Sequence, residues 1–112
     1  MNVEELRKVR ERYREALTPN RFAVLLALYA LGPQPLSVLA RVLGMGWGEL
    51  DSALKKLREL GLVEVRKKIV GRSIRTVAWL TEEGEKLVEE LSTLFDSIKR
   101  SRESAGLPRE RG

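Results

Sequence analysis

The 112-residue chain contains no cysteine and no histidine. The first absence excludes disulfides, thiolate metal sites and thiol redox chemistry, and leaves secretion without positive support. Together the two remove the thiol nucleophile, the usual general base and most zinc-ligand sets. No metal, no cofactor and no enzyme activity are therefore expected. Gly44-Met45-Gly46 with Gly48 is too short for a nucleotide-binding loop and has no strand before it. Long apolar runs are missing too: the longest, Phe22 to Leu31, covers about half a membrane span. The N-terminus opens with Glu4, Glu5, Arg7 and Lys8, which is not the pattern of a signal peptide, so the chain is read as cytoplasmic with no membrane contact.

What the chain has in quantity is charge. Charged residues make up 33% and the net charge is +5, on a length that suits one domain with a modest core. The charge is unevenly placed: residues 61–80 carry +4, residues 81–100 carry −3, and residues 47–60 are neutral. The excess lies in Arg66-Lys67-Lys68 with Arg72 and Arg75, against a single carboxylate, Glu64. A basic segment beside an acidic helix points to a polyanion on one face. The competing reading is a solvated Arg- and Glu-rich surface of the kind thermophiles favour.

Apolar spacing divides the chain. From Asn2 to Leu17, Val3, Leu6, Val9, Tyr13 and Leu17 recur every three or four residues, one stripe of a helix. Thr18-Pro19 breaks it and Asn20 is expected to cap the next. Arg21 to Leu31 is apolar nearly all round and belongs at the centre of the domain. Gly32 to Pro35 forms a loop, with Pro35 suited to a new first turn. Leu36 to Leu43 is a short helix, Gly44-Met45-Gly46 a tight turn, and Trp47 to about Leu60 a helix burying Leu50, Ala53, Leu54 and Leu57. The period then changes to that of a hairpin, Leu62 to Leu80, turning at Gly71-Arg72-Ser73. Thr81 caps a last helix in which Leu87, Leu91, Leu94 and Ile98 form a coiled-coil-like stripe.

This order is that of a helix-turn-helix followed by a hairpin. Particular residues sharpen it: Pro35-Leu36-Ser37-Val38-Leu39-Ala40, Leu43-Gly44, Leu54-Lys55-Lys56-Leu57, Leu60-Gly61-Leu62-Val63, Gly71-Arg72, Arg75-Thr76 and Leu80-Thr81-Glu82-Glu83-Gly84. Over roughly residues 18–92 the chain resembles MarR-like and related archaeal winged-helix regulators. The expected fold is α+β, mostly α: a winged helix-turn-helix with extra N- and C-terminal helices. One domain spans 1–100, with a terminal helix at 1–17, the winged-helix core at 18–80 and a second terminal helix at 81–100. Residues 101–112 are read as a flexible tail.

The resemblance implies a double-stranded DNA-binding transcriptional regulator, acting as a homodimer and repressing by blocking the promoter. It sets the helix from Trp47 in the major groove, with Trp47, Ser52, Lys55 and Lys56 outward, although Glu49 and Asp51 would face phosphates there. Trp47 could instead cover the core beside Met45, and Trp79 is expected against a terminal helix. Lys67, Lys68, Arg72 and Arg75 form a cationic wing for the flanking backbone or minor groove. Ser37, at a helix start, is a backbone contact or a plain first-turn residue. Leu6, Val9, Tyr13, Leu87, Leu91, Leu94 and Ile98 are the expected dimer interface, unless the terminal helices pack on each other within one chain. The rivals are a winged-helix adaptor for protein partners and an architectural nucleic-acid binder without sequence preference. No residue names a small-molecule effector.

Overall fold

The computed structural model describes residues 3–106. Five helices and a three-stranded antiparallel sheet follow in the order α1 (Val3–Tyr13), α2 (Pro19–Leu31), β1 (Gln34–Pro35), α3 (Leu36–Leu43), α4 (Trp47–Glu59), β2 (Val63–Val70), β3 (Ser73–Leu80) and α5 (Glu82–Ser104). This is the expected winged helix-turn-helix with a helix added at each end. Among the described residues no charged or polar side chain is counted in the core. Val24, Leu25 and Leu28 of α2, Leu39 of α3, Leu50 and Leu57 of α4, Val63 and Ala78 of the sheet and Leu87 and Leu91 of α5 meet in one cluster. These are the one-sided stripes of each helix and the inward parity of the hairpin, so the apolar pattern dictates which faces meet.

Four local expectations change. The first helix stops at Tyr13 rather than Leu17, because Tyr13 and Ala16 both turn into the core, and only Leu17 N–H to Tyr13 carbonyl (3.0 Å) continues the turn. Asn20 is not a cap: Thr18 holds that position in extended geometry with Pro19 as the first helical residue, and no side chain caps the end. Gln34 and Pro35 are not loop but an edge strand opposite Ala78 and Val77, giving the sheet order β1-β3-β2. Proline suits an edge strand because its missing N–H would face outward. The last helix runs through Ser101 to Ser104, since nothing before Gly106 breaks it. The rest of the expected tail, 107–112, lies outside the described residues.

The junction of β3 and α5 explains the Leu-Thr-x-x-Gly pattern. Thr81 Oγ1 accepts the Gly84 N–H (3.1 Å) and donates to the Gly61 carbonyl (2.7 Å). Thr81 N–H also reaches the Leu62 carbonyl (3.1 Å). One threonine thus caps α5 and ties it to the turn that follows α4.

α1 is fastened to α5 near its C-terminal end. Tyr13 Oη donates to Glu90 Oε2 at 3.0 Å, and Arg12 pairs with the same carboxylate at 3.3 Å. Tyr13, Leu87 and Leu91, read from the sequence as part of an intersubunit stripe, are buried in the single chain, where the core already covers their apolar surface. Burial first, then the Glu90 hydrogen bond and charge, hold the Tyr13 hydroxyl above its ordinary value of 10.0, with the Arg12 charge opposing. A raised pKa in the folded state means that this contribution is complete below the unfolded pKa and lost as pH rises through the folded one. In melts between about pH 8 and pH 11, wild type is therefore expected to lose stability faster than Tyr13→Phe. Parallel curves would remove Tyr13 from alkaline unfolding.

Candidate nucleic-acid interface

The turn Gly44-Met45-Gly46 joins the end of α3 to the start of α4, and β1 pairs with β3 just before α3 begins. The first turns of both helices therefore border the emerging hairpin. Between them opens a cleft of about 430 Å³ lined by Pro35, Leu36 and Ser37, by Trp47, and by Ser73 to Thr76 of β3. First-turn N–H groups of a helix have no internal partner and carry the positive end of its dipole. Two such ends and Arg75 border one open cleft, which favours an anion.

Trp47 is 61% exposed and lines this cleft, so it does not cover the core; Met45 does that instead. Leu50, Ala53, Leu54 and Leu57 anchor α4 from below, leaving Asp51, Ser52 and Lys55 outward. Ser52 borders a second cleft of about 370 Å³, with Gly48, Glu49, Asn20 and Arg21. Glu49, expected to oppose phosphates, turns its Oε1 back to the Gly46 N–H (3.4 Å) and serves the helix start. Lys56 departs from its expected role. Its Nζ lies 3.6 Å from Glu15 and 3.9 Å from Glu59, half-buried against the segment after α1. Lys55, one position on, is exposed.

The hairpin divides its cations by pleat. Val63 pairs with Leu80, Val65 with Ala78, Lys67 with Thr76 and Ile69 with Ile74, while Glu64–Trp79, Arg66–Val77, Lys68–Arg75 and Val70–Ser73 take the other face. Gly71, at φ +64°, and Arg72 form the two-residue turn. Lys68 is not a free tip cation: its Nζ sits 4.2 Å from the centre of the Trp79 ring, in cation–π geometry. Trp79, expected against a terminal helix, is thus half-buried with Lys68 across it. Arg66 leans to Glu64 at 3.9 Å. Among the described residues, no carboxylate lies within 4.0 Å of Lys55, Lys67, Arg72 or Arg75. Sequence reasoning took Thr76 only as part of a family pattern, not as a lining residue of the cleft, and missed the exposure of Ile69 and Ile74. The only signal for the latter is that the strands are longer than the core beneath them.

α5 leaves the body. Its buried residues, Gly84, Leu87, Val88 and Leu91, all lie in its first half. Beyond them Leu94 is half-buried, while Phe95 and Ile98 are exposed. On α1, Val3 and Leu6 are exposed and Val9 is half-buried. α2, expected at the centre, buries one side but leaves Leu26, Tyr29 and Leu31 in solvent.

No family model matches the chain, and no curated protein does. Solved structures do. A transcriptional regulator homologue from Pyrococcus horikoshii OT3 is 30% identical, with a TM-score of 0.71, covering 94% of this chain and 100% of its own. The transcriptional repressor BigR from Xylella fastidiosa is 27% identical at a TM-score of 0.63, covering 85% and 90%. A mutant MepR from S. aureus shares the fold at 20% identity and a TM-score of 0.68, covering 94% and 84%. With its helix-turn-helix, its hairpin and 30% identity to a regulator matched along its whole length, the chain belongs to the MarR-like winged-helix transcriptional regulators.

Proposed function

We propose that the protein binds double-stranded DNA as a homodimer, with α4 in the major groove and the β2–β3 wing on the flanking backbone. The observation that carries this reading is the cleft where the starts of α3 and α4 meet the root of the wing. A phosphate there meets free helix amides near Ser37, the Arg75 guanidinium and the flat face of Trp47, which suits a sugar. Ser52 and Lys55 then point to base edges, and Lys67, Arg72 and Arg75 to phosphates beside the groove. Lys56 and Lys68 drop out of the contact set because Glu15, Glu59 and Trp79 engage them. The dimer rests on the outer half of α5, which with α1 carries Leu6, Phe95 and Ile98 exposed, beside Val9 and Leu94, which are half-buried against the core. An apolar stripe of this kind on a projecting helix calls for a second copy. Two copies would set two α4 helices about one DNA turn apart. Occupying a promoter in that way blocks transcription.

The test is fluorescence anisotropy on mixed-sequence duplex DNA across a salt series. Wild type is expected to give a log–log slope of about −4 or steeper. Arg72→Ala/Arg75→Ala should flatten it by about 2, one unit for each phosphate contact removed. Absence of binding at the lowest salt would reject the reading in favour of a protein partner.

A further inference from the structure

The wing outruns the body that supports it. Its strands are eight residues each, about 26 Å at 3.3 Å per residue, and burial is confined to the root: Val63, Val77, Ala78 and Leu80. The face that continues the core runs outward through Val65 and Ala78, then Lys67 and Thr76, and ends on Ile69 and Ile74. These two isoleucines stand directly opposite each other and are 80% and 74% exposed. A cross-strand pair of β-branched residues steadies a hairpin, but threonine or valine would do so with less apolar surface in water. Lys67 shares the face of the two isoleucines, Arg72 lies in the turn just beyond them, and Arg75, paired with Lys68, projects from the opposite face; among the described residues no carboxylate lies within 4.0 Å of Lys67, Arg72 or Arg75.

We propose that the Ile69–Ile74 pair is an apolar wedge that enters the DNA minor groove and bends the duplex, while Lys67, Arg72 and Arg75 hold the phosphates on either side. The proposal rests on the DNA-binding reading above and adds what the wing does there. A duplex presents two rows of anions flanking a floor of deoxyribose carbons and base edges, which matches an apolar pair with Lys67 on its own face, Arg72 in the turn and Arg75 on the opposite face of the ribbon. Paired strands lie about 5 Å apart and the minor groove is about 6 Å wide, so a ribbon with two isoleucines fits only if the groove opens. Opening the groove and unstacking a step bend the helix toward the major groove, as apolar wedges do in architectural proteins. Flexible pyrimidine–purine steps make this cheapest, which would supply sequence preference at positions that α4 never touches.

The test combines anisotropy with energy transfer between dyes on the two ends of a duplex of about 30 base pairs carrying central TA steps. Three proteins are compared: wild type, Ile69→Thr/Ile74→Thr and Arg72→Ala/Arg75→Ala. Threonine keeps the β-branch, and both sites are exposed, so the hairpin and the melting temperature are retained. Wild type is expected to shorten the end-to-end distance on binding. The threonine variant should keep the salt slope, bind about tenfold more weakly for the lost apolar burial and leave the duplex straight. The arginine variant should lose slope. A straight duplex with wild type, or an unchanged bend with the threonine variant, overturns the wedge while leaving DNA binding intact. No duplex binding by anisotropy removes the underlying reading and the wedge with it. Binding only to anionic phosphatidylglycerol vesicles would assign the pair to a membrane surface and also overturns it.

Discussion

Gly84→Ala is expected to lower the melting temperature by about 10 °C or more, a loss on the order of 3 kcal/mol. A Cβ at this position would overlap the carbonyl oxygen of Leu62 and lie 3.2 Å from Leu80 Cδ2. The obstacle is backbone, so no rotamer change relieves it; α5 must lift from the turn after α4. Lifting it breaks the Thr81 hydrogen bonds to Gly61, Leu62 and Gly84 and loosens Leu87 and Leu91 in the core. In an unconstrained helix the same change would be favourable by about 1 kcal/mol, so the sign of the effect is itself informative. Gly48, also helical but with open space where its Cβ would go, supplies the control: Gly48→Ala should raise stability by about 0.4–1 kcal/mol. Circular dichroism melts of the two variants decide it, and a Gly84→Ala melt within about 2 °C of wild type would mean the contact is soft.

The second large effect is expected from Phe95→Glu/Ile98→Glu. Both side chains lie on the outer half of α5, one helical turn apart and outside the core, 54% and 40% exposed. Folding of the single chain should therefore survive. Two carboxylates in an apolar contact between copies would go unpaired at a cost of several kcal/mol, weakening a dimer by about a hundredfold or more. DNA affinity should fall with it by about 10² or more, because two linked half-sites become two independent ones. Sedimentation gives the mass and anisotropy the affinity. A wild type that sediments as a monomer rejects the dimer itself, whereas a variant that keeps the dimer mass places the interface elsewhere, with the exposed Leu26 and Tyr29 of α2 the next place to look.

Much of the candidate site was legible in the chain. The run Leu54-Lys55-Lys56-Leu57 shows that α4 buries its leucines and turns its lysines away, because helical period alone sorts those positions. It cannot show that Lys56 faces Glu15, forty-one residues earlier, while Lys55 faces solvent; adjacent lysines differ by about 100° around the helix, and what lies at each angle belongs to the fold. Lys68 is the same case on a strand. Its partner Trp79 becomes a neighbour only through the hairpin register.

The fold class, the helix-turn-helix, the hairpin and its cationic turn could be read directly from the chain, since these rest on apolar period, on Gly and Pro placement and on local charge. Those signals act over a few residues and are complete within each segment. Tertiary structure alone decided four things: that Tyr13, Leu87 and Leu91 are core, that Trp47 is open, that Gln34 and Pro35 join the sheet, and that Ile69 and Ile74 stand uncovered at the wing tip. Each depends on how far one element extends past another. Burial is a property of the space between elements, which no single element's pattern encodes.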